Sequence, residues 1–322
     1  MLCRAFGPPE ALALAVVAPR ALAADEIRIR VRAAGVNFAD TLMVAGQYQV
    51  KPPFPFAPGI EIAGEVTEVG PAVGDRRVGE RVVAYLPAAG GYAEEVVLRG
   101  GLVVPFPDGM DFVTAAAFPV AYGTPHLALT HRAGLRAGET LLVLGAAGGV
   151  GLGAVEIGKQ LGARVIAAAG GAEKCAVARA HGADATIDYA AESIRDRIRD
   201  LTGGRGADVV FDPVGGDAFD QALRSVAWEA RLLVVGFAAG RVQAVPANLL
   251  LVKNVAAVGV FWGAHAERDP GFVAAGLGEA FGWWKQGRLH PRIGATFPLA
   301  EAKDAMAALL SRRIAGKIVL TV

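Results

Sequence analysis

The pattern of apolar and polar residues changes character near residue 120 of the chain. Before that point, apolar residues alternate with polar ones, as at Ile27, Ile29 and Val31, which would share one face of a strand. Closely spaced glycines and prolines separate such alternating runs. This period-two pattern predicts a β-rich, barrel-like antiparallel domain over residues 1–120.

After residue 120, short apolar runs alternate with helix-length segments. Six strand-like runs begin at Leu141, Arg164, Ala185, Ala207, Arg231 and Val255. Strands that alternate with helices in this way predict a doubly wound parallel sheet over 121–262, so the fold class is α/β. One intervening helix is predicted over Asp217–Trp228, and the sixth strand is predicted to extend to Trp262.

The C-terminal segment, 263–322, has its own pattern. Two helical patterns, around Phe272–Gln286 and Leu299–Arg312, precede an apolar run that begins at Lys317. We expect this last run to be a strand that returns to the first domain.

A glycine-rich loop follows the first strand of the second region, in the run Leu141–Gly151. It reads Ala146-x-Gly148-x-x-Gly151, so alanine stands at the first position of the GxGxxG dinucleotide-binding pattern. Without a Cβ, Gly148 lets the backbone approach a pyrophosphate, and the N–H groups at the start of the helix would face the phosphates. The alternative is a glycine-rich turn without a ligand.

The end of the next strand indicates which dinucleotide binds. A site for NAD usually has Asp or Glu there, to bind the ribose 2′-hydroxyl, but this chain has Gly170 and Gly171. Lys174 lies one helical turn further on and Tyr189 follows the next strand, so both are candidates to bind a 2′-phosphate. The pattern favours NADPH, with Glu173 as a contrary signal and a solvated lysine as the alternative for Lys174.

Composition narrows the class of protein. The net charge is +1, which gives no electrostatic signature for binding nucleic acid or an anionic membrane surface. No uninterrupted apolar run has the length of a membrane span, and the N-terminus does not have the pattern of a signal peptide. Cys3 and Cys175 are the only cysteines, which favours a cytoplasmic location and excludes a disulfide framework.

Motifs in a fixed order along almost the whole chain resemble one family. They include Ala34-GVNFAD, Gly46-QY, Phe56-APGIEIAGEV, Gly91-YAEE, Ala115-AAFPVAYGT, the glycine loop, Gly206-ADVVFDPVGG and Ala315-GKIVL. The chain thereby resembles the zinc-free NADPH:quinone oxidoreductase branch of the medium-chain dehydrogenase/reductase superfamily, which includes zeta-crystallin. The resemblance implies a GroES-like catalytic domain, a Rossmann cofactor domain and, by analogy with family members, a homodimer.

The motifs differ from those of zinc-dependent relatives at two ligand positions. Those relatives carry Cys where this chain has Asn37, and Gly-His-Glu where it has Gly59-Ile60-Glu61. Neither Asn37 nor Ile60 suits Zn²⁺, so no metal is expected. His126 and His131 lie close together without a third ligand, and we expect both on a helix near the surface.

The resemblance also implies functional residues. Asn37 and Tyr48 would lie on the substrate side of the nicotinamide as catalytic residues, with Tyr48 as a hydrogen-bond donor or only a packing residue, and Asp40 would orient the loop. The implied cofactor-binding residues are Asn37, Thr124, Ala147, Gly148, Gly149, Val150, Gly170, Lys174, Tyr189, Val235, Gly236, Phe237, Phe261, Trp262 and Lys317. Packing is the alternative for Phe261 and Trp262, and a solvated side chain is the alternative for Lys317.

Three functions are compatible with these residues. The first is NADPH-dependent reduction of a quinone, a small-molecule substrate that accepts hydride readily without zinc. The second is reduction of an α,β-unsaturated carbonyl compound or an enoyl thioester on the same scaffold. The third is binding of NADPH without turnover, in a structural or sensing role, which a fold resemblance alone does not exclude.

Overall fold

The computed structural model describes residues 1–322, which form two compact units. The first unit comprises Met1–Val120, Gly263–Gly282 and Pro291–Val322. The second unit comprises Ala121–Trp262 and Trp283–His290.

The elements are numbered in chain order. The strands are β1 (Glu26–Val36), β2 (Glu61–Val69), β3 (Arg81–Tyr85), β4 (Glu95–Arg99), β5 (Val103–Pro105), β6 (Thr140–Leu144), β7 (Arg164–Ala169), β8 (Ala185–Asp188), β9 (Ala207–Asp212), β10 (Val226–Val234), β11 (Ala256–Gly259), β12 (Ile293–Pro298) and β13 (Lys317–Thr321). The helices are α1 (Phe38–Val44), α2 (Phe112–Ala116), α3 (Phe118–His126), α4 (Gly149–Gln160), α5 (Ala172–Ala180), α6 (Ile194–Leu201), α7 (Gly216–Arg224), α8 (Ala247–Lys253), α9 (Trp262–Arg268), α10 (Pro270–Lys285) and α11 (Ala302–Leu310). None of these helices combines the length and the apolar character that crossing a membrane requires.

The first unit is built on a seven-stranded sheet in the order β12-β13-β1-β2-β3-β5, with β4 also paired to β1. The alternation predicted in β1 is confirmed, because Ile27, Ile29 and Val31 are buried at 0–2% exposure. The last strand returns to this sheet as predicted. In the antiparallel pair of β13 and β1, Ile318 lies opposite Val36, so the beginning of β13 meets the end of β1.

The second unit contains a six-stranded sheet in the order β11-β10-β9-β6-β7-β8. All of its strand pairs are parallel, which confirms the predicted doubly wound fold. The strand order reverses direction between β6 and β9. In open α/β sheets, ligands bind at the carboxyl ends of the strands at such a reversal.

Two predicted boundaries in the second unit are wrong. The helix predicted over Asp217–Trp228 ends at Arg224, and Trp228 belongs to β10. The apolar residues at the start of β10 continue the helical spacing, but Val226 pairs with Ala207 of β9 instead. The sixth strand ends at Gly259 rather than Trp262, because Trp262 begins helix α9.

The prediction that both histidines lie near the surface is wrong for His126. His126, at the end of α3, is buried at 7% exposure, and its ring lies 5.9 Å from that of Trp283. His131 is exposed, on the π-helical turn Leu127–Arg132 that continues α3. Between 118 and 132 the apolar residues follow no clear helical period, so the pattern does not separate a buried face from an exposed one.

Candidate active site

Three polar side chains meet in the interior of the first unit. Lys317 Nζ lies 2.5 Å from Glu61 Oε1 and 2.6 Å from Asn37 Oδ1, and Asn37 Nδ2 donates to the same Glu61 oxygen at 2.8 Å. The exposures of Asn37, Glu61 and Lys317 are 7%, 0% and 6%. We call these three residues the polar triad.

The sheet explains why these residues meet. Asn37 directly follows β1, Lys317 begins β13, and β13 pairs with β1 at that end. Glu61 begins β2, the other neighbour of β1. Gly35 makes room for the carboxylate, because a Cβ at this position would collide with the Glu61 side chain.

Hydrogen bonds satisfy both oxygens of the Glu61 carboxylate. Oε1 accepts from Asn37 and Lys317, and Oε2 accepts the backbone N–H of Val120 at 2.8 Å. A buried ion pair is tolerated only with such complete hydrogen bonding. Two of the three N–H groups of the Lys317 ammonium are used in the triad, which leaves one donor for a ligand.

A second carboxyl group lies beside the triad. Asp40 is completely buried in α1, and its Oδ2 accepts from the backbone N–H of Asn37 at 2.8 Å and from the Tyr92 hydroxyl at 3.1 Å. Its other oxygen, Oδ1, is buried and has no hydrogen-bond partner. Burial raises the pKa of Asp40 to about 7, against the hydrogen bond from Asn37 and the charge of Lys317, which lower it.

Tyr48 lies on the turn that follows α1, and it is half-buried. Burial raises the pKa of its hydroxyl to about 12, and the charge of Asp40 adds to this shift. Burial likewise raises the pKa of Tyr85, with a contribution from Tyr48 and Asp40. These phenols therefore keep their protons at neutral pH and can donate hydrogen bonds.

In the second unit, the glycine loop connects β6 to α4. Gly148 is the N-cap residue of α4 and is exposed, and a Cβ there would meet only the Gly145 carbonyl, at 3.5 Å. Gly151 is different, because a Cβ there would lie 2.8 Å from the Ala146 Cα. Gly151 thus allows helix and loop to pack, whereas the space at Gly148 is open to a ligand. Ala147, Gly149 and Val150 belong to the same turn, at the start of α4.

Two of the residues predicted to select the cofactor, Gly170 and Tyr189, come together at the ends of β7 and β8. A Cβ at Gly170 would lie 3.1 Å from the Tyr189 ring, so the two residues are in contact. Lys174 lies in the first turn of α5, which starts just after Gly171. Asp188, the last residue of β8, uses Oδ1 to accept the backbone N–H of Gly171 at 2.7 Å.

Other predicted cofactor residues lie in the same unit. Val235, Gly236 and Phe237 follow β10, and the backbone N–H groups of Val235 and Gly236 both donate to the Asp212 carbonyl. Thr124 is buried on α3. Trp262 packs on the neighbouring Gly123, where a Cβ would lie 2.8 Å from the indole, whereas Phe261 is 42% exposed.

Comparisons with known proteins match both units. Residues 23–108 match the alcohol dehydrogenase GroES-like domain, and residues 149–274 match the zinc-binding dehydrogenase domain. The chain is 42% identical to quinone oxidoreductase-like protein 2 homolog of Nematostella vectensis, over 93% of this chain and 82% of that protein. It is 38% identical to a quinone oxidoreductase of Pseudomonas aeruginosa, over 98% and 97% of the two chains. The chain belongs to the quinone oxidoreductase branch of the medium-chain dehydrogenase/reductase superfamily.

A solved structure agrees with this membership. The quinone oxidoreductase of Escherichia coli in complex with NADPH superposes with a TM-score of 0.91 at 28% identity, covering 100% of this chain and 98% of that one. The protein is therefore an oxidoreductase, and its two folds are those predicted from the sequence, a GroES-like domain and a Rossmann domain.

Two structural features are not predicted from the sequence. One is the pairing of Lys317 with Glu61 and Asn37, since contacts between residues this far apart have no periodic signal. The other is Glu156 on α4, a buried carboxylate that accepts from the Tyr122 hydroxyl at 2.7 Å. For Glu156, the available signal is a single glutamate among the apolar residues of α4.

Glu156 joins several parts of the second unit. It lies 2.7 Å from His181 Nδ1 and accepts the backbone N–H of His290, 3.1 Å from each of its oxygens. Tyr122 and Thr124 both lie on α3. By accepting from the Tyr122 hydroxyl, the Glu156 carboxylate holds in place the helix that carries Thr124, a predicted cofactor contact.

No group of three or more His, Cys, Asp or Glu side chains lies together in an arrangement that could hold a metal ion. By the resemblance described above, the two positions where zinc-dependent relatives carry ligands are occupied here by Asn37 of the polar triad and by Ile60.

Proposed function

We propose that the protein is an NADPH-dependent quinone reductase that works without zinc. The observation that carries this proposal is the polar triad, in which the Lys317 ammonium bonds directly to Glu61 and Asn37. The Lys317 ammonium thereby supplies a fixed hydrogen-bond donor at this position, with its charge balanced by Glu61.

The glycine loop fits a dinucleotide. The exposed N-cap at Gly148 leaves space for a pyrophosphate against the N–H groups of α4, where the helix dipole favours negative charge. Gly170 places no carboxylate against a ribose 2′-phosphate, and Lys174 and Tyr189 offer an ammonium and a hydroxyl to bind it. These residues support NADPH as the cofactor. When bound, NADPH supplies the hydride for the reduction.

The polar triad argues against a zinc ion at this position. A metal bound by Glu61 would have to displace the ammonium that already neutralises it, and it would find an amide at 37 and an isoleucine at 60. Neither residue is a ligand that Zn²⁺ prefers. A site without this Lewis acid suits an acceptor that is already electrophilic.

The acceptor side requires hydrogen-bond donors in an apolar setting. Tyr48 provides a hydroxyl that stays protonated, because burial raises its pKa to about 12. Lys317 provides the remaining N–H of its ammonium, which would stabilise an oxygen that becomes negative as the acceptor is reduced. A quinone presents such an oxygen.

An ene-reductase is the alternative enzyme. The same donors would polarise the carbonyl of an enone or an enoyl thioester, and Tyr48 would relay a proton to the α carbon. A non-catalytic, NADPH-binding role is the third possibility.

Two further expectations belong to this proposal. We propose a homodimer formed at the edge strand β11, which pairs only with β10, near the exposed apolar residues Trp228, Leu251 and Val252. We also propose a cytoplasmic location, since Cys3 and Cys175 are both free thiols.

Steady-state oxidation of NADPH and NADH, each against para-benzoquinone, phenanthrenequinone and cyclohexenone, tests the proposal. Turnover with the quinones and a preference for NADPH support it. Activity confined to cyclohexenone assigns the ene-reductase function. Binding of NADPH without turnover of any acceptor assigns the non-catalytic function.

A further inference from the structure

Asp212 ends β9 and is completely buried, at the point where the strand order of the second sheet reverses. Its backbone carbonyl accepts the N–H groups of Val235 at 2.9 Å and Gly236 at 3.2 Å. Its carboxyl oxygen Oδ1 accepts the N–H groups of Val214 and Gly215, each at 2.8 Å. One residue therefore bonds to the turn that follows β9 as well as to the chain that follows β10.

The turn after β9 lies between the glycine loop and the chain after β10. Towards the glycine loop, Val214 covers Gly145, where a Cβ would lie 2.8 Å from the valine side chain. Towards the chain after β10, the Pro213 carbonyl accepts the N–H of Ala238 at 3.1 Å. The Val214 carbonyl accepts the N–H of Ala239 at 2.8 Å. The position of this turn therefore sets the spacing between the glycine loop and the chain after β10.

The carboxyl group of Asp212 is held from two sides. Its Oδ1 bonds to the turn, where Gly215 has a φ of +71°, and its Oδ2 accepts from Gln243 Nε2 at 3.2 Å. Because Asp212 is not exposed to solvent, water does not substitute for these oxygens. Without them, the two N–H groups of the turn would lack an acceptor unless the turn moved.

The strand order indicates how a dinucleotide would cross these segments. The glycine loop, proposed to take the pyrophosphate, follows β6, which lies between β7 and β9. Gly170 and Lys174, where we propose that the 2′-phosphate binds, follow β7. The nicotinamide half of the cofactor would therefore extend in the other direction, over the ends of β9 and β10, where Val235 and Gly236 lie.

We propose that Asp212 is a positioning residue for NADPH, because its carboxyl group fixes the turn that spaces the glycine loop from the chain after β10. The inference rests on the proposed NADPH-dependent function. A dinucleotide must reach both segments at once, so its affinity depends on their spacing. Asp212 is completely buried and acts through the turn rather than on the cofactor itself. Its part is to accept hydrogen bonds, which an amide oxygen can also do.

Two ligands of different length separate a change in spacing from a loss of folding. NADPH spans both segments, whereas adenosine 2′,5′-bisphosphate carries only the half expected at the ends of β6 and β7. A change in spacing weakens the binding of NADPH alone. Partial unfolding of the second unit weakens the binding of both ligands. Isothermal titration calorimetry at constant pH measures the two Kd values without turnover.

Asp212→Leu removes both accepting oxygens and keeps a side chain of similar size. We expect its Kd for NADPH to rise about tenfold or more and its Kd for adenosine 2′,5′-bisphosphate to stay within about twofold of the wild type. Asp212→Asn keeps an accepting oxygen and should bind both ligands as the wild type does. Asp200→Leu, at an exposed position of α6, is the matched control and should also leave both Kd values unchanged.

Val214→Ala decides the question if Asp212→Leu does not fold. It leaves Asp212 in place and removes only methyl groups that cover Gly145, so its Kd for NADPH should rise about threefold or more while the bisphosphate binds as before. Unchanged NADPH affinity in either folded variant overturns the inference, as does equal weakening of both ligands by Val214→Ala.

These titrations also distinguish the inference from the proposed function. If the wild type binds NADPH but reduces no quinone, the proposed function is wrong, and the variants still decide the role of Asp212. If the wild type binds neither ligand, both the proposed function and the inference are overturned.

Discussion

The Nζ of Lys317 lies 2.6 Å from Oδ1 of Asn37, although 280 positions separate these residues along the chain. The contact exists because β13 pairs with β1, so that the beginning of the last strand meets the residue after the first. Lys317 also neutralises Glu61, which no other cation reaches within hydrogen-bond distance. One lysine thus orients the Asn37 amide and compensates a buried charge.

Removing this ammonium should destabilise the first unit strongly. Lys317→Met leaves the Glu61 carboxylate buried and without its counter-ion, which we expect to lower the free energy of unfolding by about 3–5 kcal/mol. Urea unfolding followed by circular dichroism measures the change. Lys303→Met, at an exposed position of α11, is the control and should change stability by less than about 0.5 kcal/mol. Equal stability of the two variants would contradict the role assigned to Lys317.

Alanine substitutions at two glycines of the loop should have different effects, one on cofactor affinity and the other on stability. Gly148→Ala adds a methyl group whose nearest neighbour is the Gly145 carbonyl at 3.5 Å, so stability should stay within about 0.5 kcal/mol of the wild type. The methyl group would instead obstruct the pyrophosphate, and we expect the Kd for NADPH to rise about tenfold or more, equivalent to about 1.4 kcal/mol.

Gly151→Ala is the contrasting variant. Its Cβ would lie 2.8 Å from the Ala146 Cα, so packing of helix on loop should be lost at a cost of about 1–3 kcal/mol of stability. Thermal unfolding and titration with NADPH check both variants. Unchanged NADPH affinity in Gly148→Ala would show that the loop does not hold the pyrophosphate.

Lys174 should determine the preference between the two nicotinamide cofactors. Lys174→Ala removes the ammonium proposed to pair with the 2′-phosphate, so KM for NADPH should rise about tenfold, as expected for a hydrogen bond to a charged group. KM for NADH, which lacks this phosphate, should not change and serves as the internal control. The same increase for both cofactors would place Lys174 elsewhere in the site.

Asp212 should make the stability of the second unit depend on pH. Burial raises its pKa from 3.8 to about 6, so the folded state favours the protonated form. This contribution to stability is complete below pH 3.8 and is lost as the pH rises through about 6. By pH 8 the loss should reach about 3 kcal/mol, because one pKa unit corresponds to about 1.4 kcal/mol and the pKa is raised by about two units.

Asp212→Asn tests this linkage. An asparagine oxygen still accepts from the backbone N–H groups of Val214 and Gly215, and its NH₂ group replaces Oδ2, which accepts from Gln243 Nε2 at 3.2 Å. A half-turn of the Gln243 amide then lets its Oε1, which is buried without a partner in the wild type, accept from this NH₂ group. The variant should therefore be more stable than the wild type at pH 8. Urea unfolding at pH 5 and pH 8 checks both effects, and a variant as pH-dependent as the wild type would contradict them.

Local patterns were sufficient to predict the second unit. Its six strands are short apolar runs, and the loop after β6 has glycines at the spacing that the helix start requires. A predicted boundary is wrong where the spacing of apolar residues continues past the end of an element. Helix α7 ends at Arg224 and β10 begins at Val226, but the apolar residues continue at helical spacing across this junction.

The polar triad could not be predicted in the same way. Asn37 and Lys317 were expected at the site from the resemblance, but their mutual bond depends on the pairing of β1 with β13 and on the space left by Gly35. Nor does the sequence reveal that Asp40 has one oxygen without a donor. Such properties arise from tertiary packing, so they have no local signal in the chain.

Hydride transfer without zinc is tested by the reduction of para-benzoquinone by NADPH, measured on protein that has been dialysed against a strong chelator and analysed for zinc. We expect kcat and KM to be the same before and after dialysis, with zinc far below one atom per chain. Loss of activity on dialysis and its recovery on addition of Zn²⁺ would contradict it.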